Sequence, residues 1–267
     1  MDIAFWSGVR HRSGVTSGVA AISVLWAELF EGEITITSNH ICNGSILERL
    51  RGGTERQEKF ARRDYCYHFG EPEYFRVLCE RGNGLAVRLN GGMRYIPMTG
   101  EEEVQMFSGS GLKGVKKKVG TNGYLFIDTA CGYGNSSQSI LQEAALTVIV
   151  LPPEKEAVDV FFRSDTPFRQ DSFFILGNYR ATVSCRPSYL CHRYKVPKER
   201  IGVIPYDLEF EQAMREGNMA AYIGGNINCS RRSRAYHFIR CVKKTAIDLR
   251  KYTEERRKHV CGDCVEV

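Results

Sequence analysis

The amino-acid sequence predicts an α/β domain, a doubly wound and mainly parallel sheet flanked by helices. Three observations carry that expectation. Short apolar runs alternate with helix-length stretches along the whole chain. Some of those runs, such as Tyr124-Leu125-Phe126-Ile127, are continuously apolar, the pattern of strands buried on both faces. The chain also opens with an apolar run, a turn holding glycine and serine, and then a helix. At 267 residues and 43% hydrophobic content it can bury one sizeable core. With no internal repeat and no linker in view, residues 1–258 are expected to form a single domain.

Ile3 to Trp6 reads as the first strand, and Ser7 to Gly14 as the turn after it. A helix opens at Thr16-Ser17, places Val19, Ala20, Ile22, Leu25 and Leu29 on its apolar positions, and ends near Glu31-Gly32. Ile34 to Thr37 is a second strand, followed by Ser38-Asn39-His40. A short helix is expected from Ile46 to Leu50, and another from Pro72 to Arg81. The charged segment 51–71 between them has no period. Met93 to Met98 is a third strand, its end marked by Pro97 and Gly100. Glu101 to Val119 runs from acidic to basic, as the helix dipole favours, although Gly109, Gly111 and Gly114 weaken a long helix.

Tyr124 to Asp128 is the next strand. Its aspartate falls at the carboxyl end, where open α/β sheets bind ligands. Ser137 to Ala145 is a helix, Thr147 to Leu151 a strand stopped by Pro152-Pro153, and Lys155 to Phe162 a helix. Asp171 to Tyr179 and Ile201 to Asp207 supply the last strands and their exits. Glu209 to Arg215 is a short helix, and Ser230 to Arg257 a long one with Phe238, Ile239, Val242, Ala246 and Leu249 on one face. Residues 259–267 are expected to be a flexible tail. His259, Cys261 and Cys264 have metal-ligand spacing there but supply only three ligands.

The net charge of +6 permits contact with DNA, anionic membrane or an acidic partner and requires none of them. No apolar run approaches the ~18 residues of a membrane span, and the start has no secretory leader pattern, so a cytoplasmic protein is expected. The ten cysteines are then read as small hydrophobes, not as a disulfide framework.

A strand, a glycine-containing turn and a helix N-terminus together make a phosphate cradle, because backbone N–H groups and the positive end of the helix face the turn. With the later strands in place, the chain resembles the MinD/ParA group of deviant P-loop ATPases, the CobQ/CobB/MinD/ParA nucleotide-binding domain. Five places carry the resemblance in order. Ile3 to Ser17 resembles the first strand and phosphate loop, and Met93 to Met98 the third strand. Asp128-Thr129-Ala130-Cys131-Gly132 resembles the D-T-P-A-G of switch II. Ile175 to Tyr179 resembles the strand whose asparagine reads adenine, and Ile204-Pro205-Tyr206-Asp207 the I-P-x-D motif. The resemblance implies a P-loop NTPase-like fold binding ATP and Mg²⁺ in a nucleotide-dependent homodimer. Ser13, Gly14, Val15, Thr16, Ser17, Asn178, Pro205 and Asp207 would line the nucleotide site. Thr16 and Asp128 would hold Mg²⁺, with Asp128 and Arg10 as catalytic residues.

Departures from the pattern qualify the activity. The family loop reads K-G-G-x-G-K-[ST]. Aligned back from Gly14, Arg10 takes the first lysine position and Val15 the second. Restoring the lysine, Val15→Lys, is therefore expected to strengthen phosphate binding. The family's D-x-D after the second strand is replaced by Ser38-Asn39-His40, so its carboxylate has no counterpart. Binding without fast hydrolysis is expected, as in the TadZ-like members that position pilus or secretion machinery. The alternatives are a scaffold that no longer binds nucleotide and a cluster-bearing redox relative using Cys131, against which stands the lack of a second suitably placed cysteine.

Overall fold

The computed structural model describes residues 1–9, 13–39, 87–88, 93–96, 123–164, 166 and 170–262. Its strands are β1 (Asp2–Trp6), β2 (Ile34–Ser38), β3 (Val87–Arg88), β4 (Met93–Ile96), β5 (Tyr124–Asp128), β6 (Leu146–Leu151), β7 (Phe173–Tyr179) and β8 (Ile201–Pro205). The helices are α1 (Val15–Leu29), α2 (Asn135–Glu143), α3 (Lys155–Arg163), α4 (Pro187–Tyr194), α5 (Leu208–Arg215), α6 (Met219–Asn226) and α7 (Tyr236–Gly262). They build one sheet of order β3-β4-β2-β5-β1-β6-β7-β8. Every neighbouring pair is parallel except the antiparallel edge pair β3–β4. The expected doubly wound, mainly parallel sheet is present.

The two faces of the sheet explain the continuously apolar strands. On β1, Ile3 and Phe5 point to one core, which also takes Val19, Ile22 and Leu25 of α1, Ile223 of α6 and Phe238 and Val242 of α7. Ala4 and Trp6 point to the other, with Ile140 of α2, Phe161 of α3 and Leu190 of α4. Strand side chains alternate between faces, so a strand covered on both sides must be apolar at every position. Each fully buried residue of this size contributes roughly 1.5–3 kcal/mol. The chain reverses direction across the sheet at β1, with β5 on one side and β6 on the other. That reversal opens a crevice at the carboxyl ends of the central strands.

Element boundaries differ from the sequence expectation in a few places. Two helices, α4 and α6, were not legible. Each has eight residues, too few for a periodic stripe, although Pro187 at the first turn of α4 is a start signal. The long helix begins at Tyr236 and not Ser230. The Ser233 hydroxyl accepts from the Ala235 N–H at 3.3 Å, and that local turn holds the chain out of the helix. The same helix continues past Arg257 to Gly262, through a run of strong helix formers from Glu254 to Lys258. Its last turn thus takes in positions 259–262 of the expected tail. The expected helices at 46–50, 72–81 and 101–119 lie outside the described residues, as does Cys264. Among the described residues, no helix is long and apolar enough to cross a membrane.

Candidate functional site

The first turn of α1 lies at the crevice, and no side-chain cap hydrogen bond closes its end among the described residues. Gly14, the residue before it, is left-handed (φ 76°, ψ 34°), and no side chain caps the helix. No acidic residue lies in that first turn. The early N–H groups of a helix have no partner within it, and their dipoles add, so an uncapped start at a sheet edge suits an anion. Thr16 and Ser17 are half-buried beside it. Val15 is different. Its side chain is 4% exposed and packs in the core with the apolar face of α1. The side-chain position the sequence reading matched to a phosphate-binding lysine therefore faces inward, and a lysine there would carry its charge into apolar surroundings. That burial weighs against the expectation that Val15→Lys strengthens phosphate binding, and a titration of the variant decides it.

Backbone packs on backbone at the β7 side. A Cβ built on Gly177 would lie 1.9 Å from the Ser13 carbonyl oxygen, so only glycine lets β7 pass beneath the loop. The next residue, Asn178, has a positive φ of 50° and sits at an irregularity in the β7–β8 register, before the pairing resumes at Tyr179. Its side-chain amide faces Gly14, 3.3 Å from where a Cβ would stand. Ser13, Gly14 and Asn178, far apart in sequence, thus form one cluster. Gly177 was missed by sequence reasoning, although a glycine just before a strand-ending asparagine was a usable signal.

On the other side of β1, the 129–134 loop is stitched to the end of β1 and the start of the turn that follows it. The Thr129 N–H donates to the Phe5 carbonyl at 3.0 Å and the Gly132 N–H to the Ser7 carbonyl at 2.8 Å. In return the Trp6 indole donates to the Gly132 carbonyl at 2.9 Å. The Tyr133 ring meets Trp6 edge-on at 5.2 Å and hangs over Gly8. Asp128, 1% exposed, ends β5 here. Beside it Asn39 follows β2. Its N–H donates to the Asp128 carbonyl at 3.3 Å, and its side-chain Oδ1 accepts from the Ala130 N–H at 2.6 Å.

Asp207 has structural partners. Its Oδ1 accepts from the Phe210 N–H at 2.8 Å, capping α5, and from the Tyr222 hydroxyl at 3.1 Å. Burial first, and then this carboxylate, push the Tyr222 hydroxyl pKa up. Pro205 is buried in register opposite Tyr179. Between them Tyr206 donates to Glu211 at 2.8 Å and lies under the Arg180 guanidinium at 4.0 Å. That hydrogen bond raises the Tyr206 pKa and lowers that of Glu211. Of the sequence-predicted residues, the structure therefore gathers Ser13, Gly14, Thr16, Ser17, Asn178 and Asp128 along one edge. Val15 packs into the core, and Asp207 caps a helix. Arg10 lies outside the described residues. A separate groove of about 450 Å³ runs between residues 227–229 and α7 and includes none of these residues.

No protein-family model and no curated protein sequence matches the chain. Solved structures do. The septum site-determining protein MinD of Pyrococcus horikoshii, complexed with Mg-ADP, superposes with a TM-score of 0.62 at 16% identity, covering 96% of this chain and 99% of its own. The ParA family ATPase of Chlorobium tepidum gives 0.61 at 13% identity, covering 93% and 98%. A chain of the MinC:MinD cell division protein complex of Aquifex aeolicus gives 0.59 at 14%, covering 94% and 96%. The fold is that of the MinD/ParA P-loop ATPases over nearly the whole chain.

Proposed function

We propose that the carboxyl edge of this sheet binds ATP with Mg²⁺, turns it over slowly or not at all, and serves a positioning or assembly role. The observation that carries this reading is the uncapped start of α1 behind a left-handed Gly14, with Asn178 facing the same glycine. Helix N–H groups take phosphate oxygens, and the amide of Asn178 both donates to and accepts from a base. The edge suits the group on two further counts. Glycine at 14 and 177 keeps Cβ atoms out of the cradle, and a buried carboxylate, Asp128, stands at the adjacent strand end. Thr16 and Asp128 would hold Mg²⁺, which when bound neutralises phosphate charge.

Slow turnover follows from what the chain puts near the phosphates. Phosphoryl transfer depends on positioned charge. Val15 offers none, since it packs into the core. Asn39, a neutral amide, stands in the segment where the related pattern has carboxylates. Arg10 is proposed to supply charge within the subunit or across a homodimer. The MinD and ParA relationship of fold supports a positioning role, and the degenerate loop supports the TadZ-like kind. A Tad/Flp-type pilus or secretion apparatus is then the partner, with the protein held at the inner membrane face through it. The test is calorimetric titration with ATP–Mg²⁺ alongside a thermal-shift measurement. We expect modest binding and a raised melting temperature. No heat and no shift at ATP concentrations of about 1,000 times a micromolar Kd would leave a pseudo-ATPase scaffold as the correct description.

A further inference from the structure

We infer that Asn39 is the residue that distinguishes a nucleoside triphosphate from a diphosphate at this edge, and that it does so while holding the 129–134 loop. The inference rests on the nucleotide-binding reading above. Asn39 is 9% exposed. Its Oδ1 accepts from the Ala130 N–H at 2.6 Å. A backbone N–H only donates, so the atom facing it must be the amide oxygen, and the orientation of the side chain is settled by chemistry. Nδ2 is then fixed as well. It is buried and has no hydrogen-bond partner among the described residues. A buried donor left in that state is costly, and an acceptor brought by a ligand removes the cost.

Position and charge decide which acceptor. Asn39 follows Ser38, which pairs in register with Asp128. Beside that carboxylate a bare anion is repelled, whereas an anion carrying a divalent cation is not. Along the sheet, Asn178 lies next to the end of β7, α1 begins behind β1, and Asn39 follows β2, in the order β2-β5-β1-β6-β7. Four strand spacings separate β2 from β7, roughly 19 Å at about 4.8 Å each. With its base at Asn178 and its inner phosphates on the start of α1, a nucleotide directs its terminal phosphate toward β5 and β2. Nδ2 donates to an oxygen of that phosphate, while Oδ1 of the same amide keeps the Ala130 N–H. Occupancy by a triphosphate therefore tightens the loop that Trp6 also holds through Gly132.

Asn39→Asp tests the assignment, because it preserves the acceptor for Ala130 and replaces only Nδ2, with an anionic oxygen of similar size. Wild type and variant are titrated with ADP and with AMPPNP, both with Mg²⁺. We expect AMPPNP to weaken roughly tenfold or more, the effect of losing a hydrogen bond to a charged group, while ADP changes little. An equal change in both ligands, no change, or tighter AMPPNP overturns the inference and leaves nucleotide binding standing. If the wild type binds neither ligand, the nucleotide reading falls and takes the inference with it. A readout that needs no variant is the side-chain amide resonance of Asn39 in the wild type. It should shift with AMPPNP and not with ADP, and identical spectra with the two ligands overturn the assignment.

Discussion

At the β7 end of the crevice, backbone lies on backbone. The Ser13 carbonyl occupies the space a side chain at Gly177 would need, and the Asn178 amide packs against a left-handed Gly14. At the β2 end, Asn39 joins the neighbouring strand exits by hydrogen bonds, its N–H donating to the Asp128 carbonyl and its Oδ1 accepting from the Ala130 N–H. The first arrangement is steric. It has no alternative short of moving a strand, so it makes a rigid cradle. The second depends on hydrogen bonds of one residue with a side-chain donor to spare, and such a contact responds to what binds beside it. On the proposed nucleotide-binding reading, a crevice built in this way would grip one end of the ligand by shape and sense the other by polarity.

The sharpest test of that contrast is a pair of alanine substitutions. Gly177→Ala forces a methyl against the Ser13 carbonyl, and neither β7 nor the loop can yield cheaply. Urea unfolding should show a loss of about 3 kcal/mol, or failure to fold. Asn39→Ala removes an acceptor and leaves the Ala130 N–H unsatisfied, so the loss should be about 1–2 kcal/mol. Equal losses at the two sites would remove the distinction between a steric and a polar end.

Val15→Lys probes the start of α1, between the two ends. Its side chain is buried with the core residues of α1. A lysine must either bury its charge or thread its stem outward. We expect a stability loss of about 2 kcal/mol with no gain in ATP affinity by calorimetry. Tighter ATP binding at unchanged stability would show that position 15 reaches the phosphates after all.

The smallest effect should come from outside the crevice. Asp159 of α3 accepts from the hydroxyls of Tyr194 and Tyr189 of α4, and these bonds hold its carboxyl below the usual range. Its folded pKa is below the unfolded one. Its contribution is thus complete above the unfolded value of about 3.9 and lost as pH falls through the folded value. Tyr189 is pushed up to about 12, chiefly by the bond to Asp159. The neutral hydroxyl is favoured in the fold, so on the alkaline side stability declines from about pH 10 to about pH 12. Asp159→Asn should flatten the acid limb of a melting-temperature profile slightly and leave nucleotide titrations unchanged. A change in ATP affinity would mean that the α3–α4 clamp communicates with the crevice.

Local pattern made much of this molecule legible in advance. Doubly buried strands such as β5 are apolar from Tyr124 to Ile127, and the α1 stripe needs helical spacing, so both show in a short window. The glycine turn after Trp6, Asp128 at a strand end and Asn178 closing another strand were visible for the same reason. Encounters across the sheet were not. Asn39 meets Ala130 across 91 positions of chain, and Ser13 meets Gly177 only because β1 and β7 both flank β6. Asp207 has the same one-letter surroundings whether it faces a ligand or caps α5, and Val15 follows Gly14 whether its side chain faces phosphate or core. Strand order and the direction of the helix at its first turn decide where those two side chains lie. Both arise from the packing of the whole sheet, and no window of sequence contains that packing.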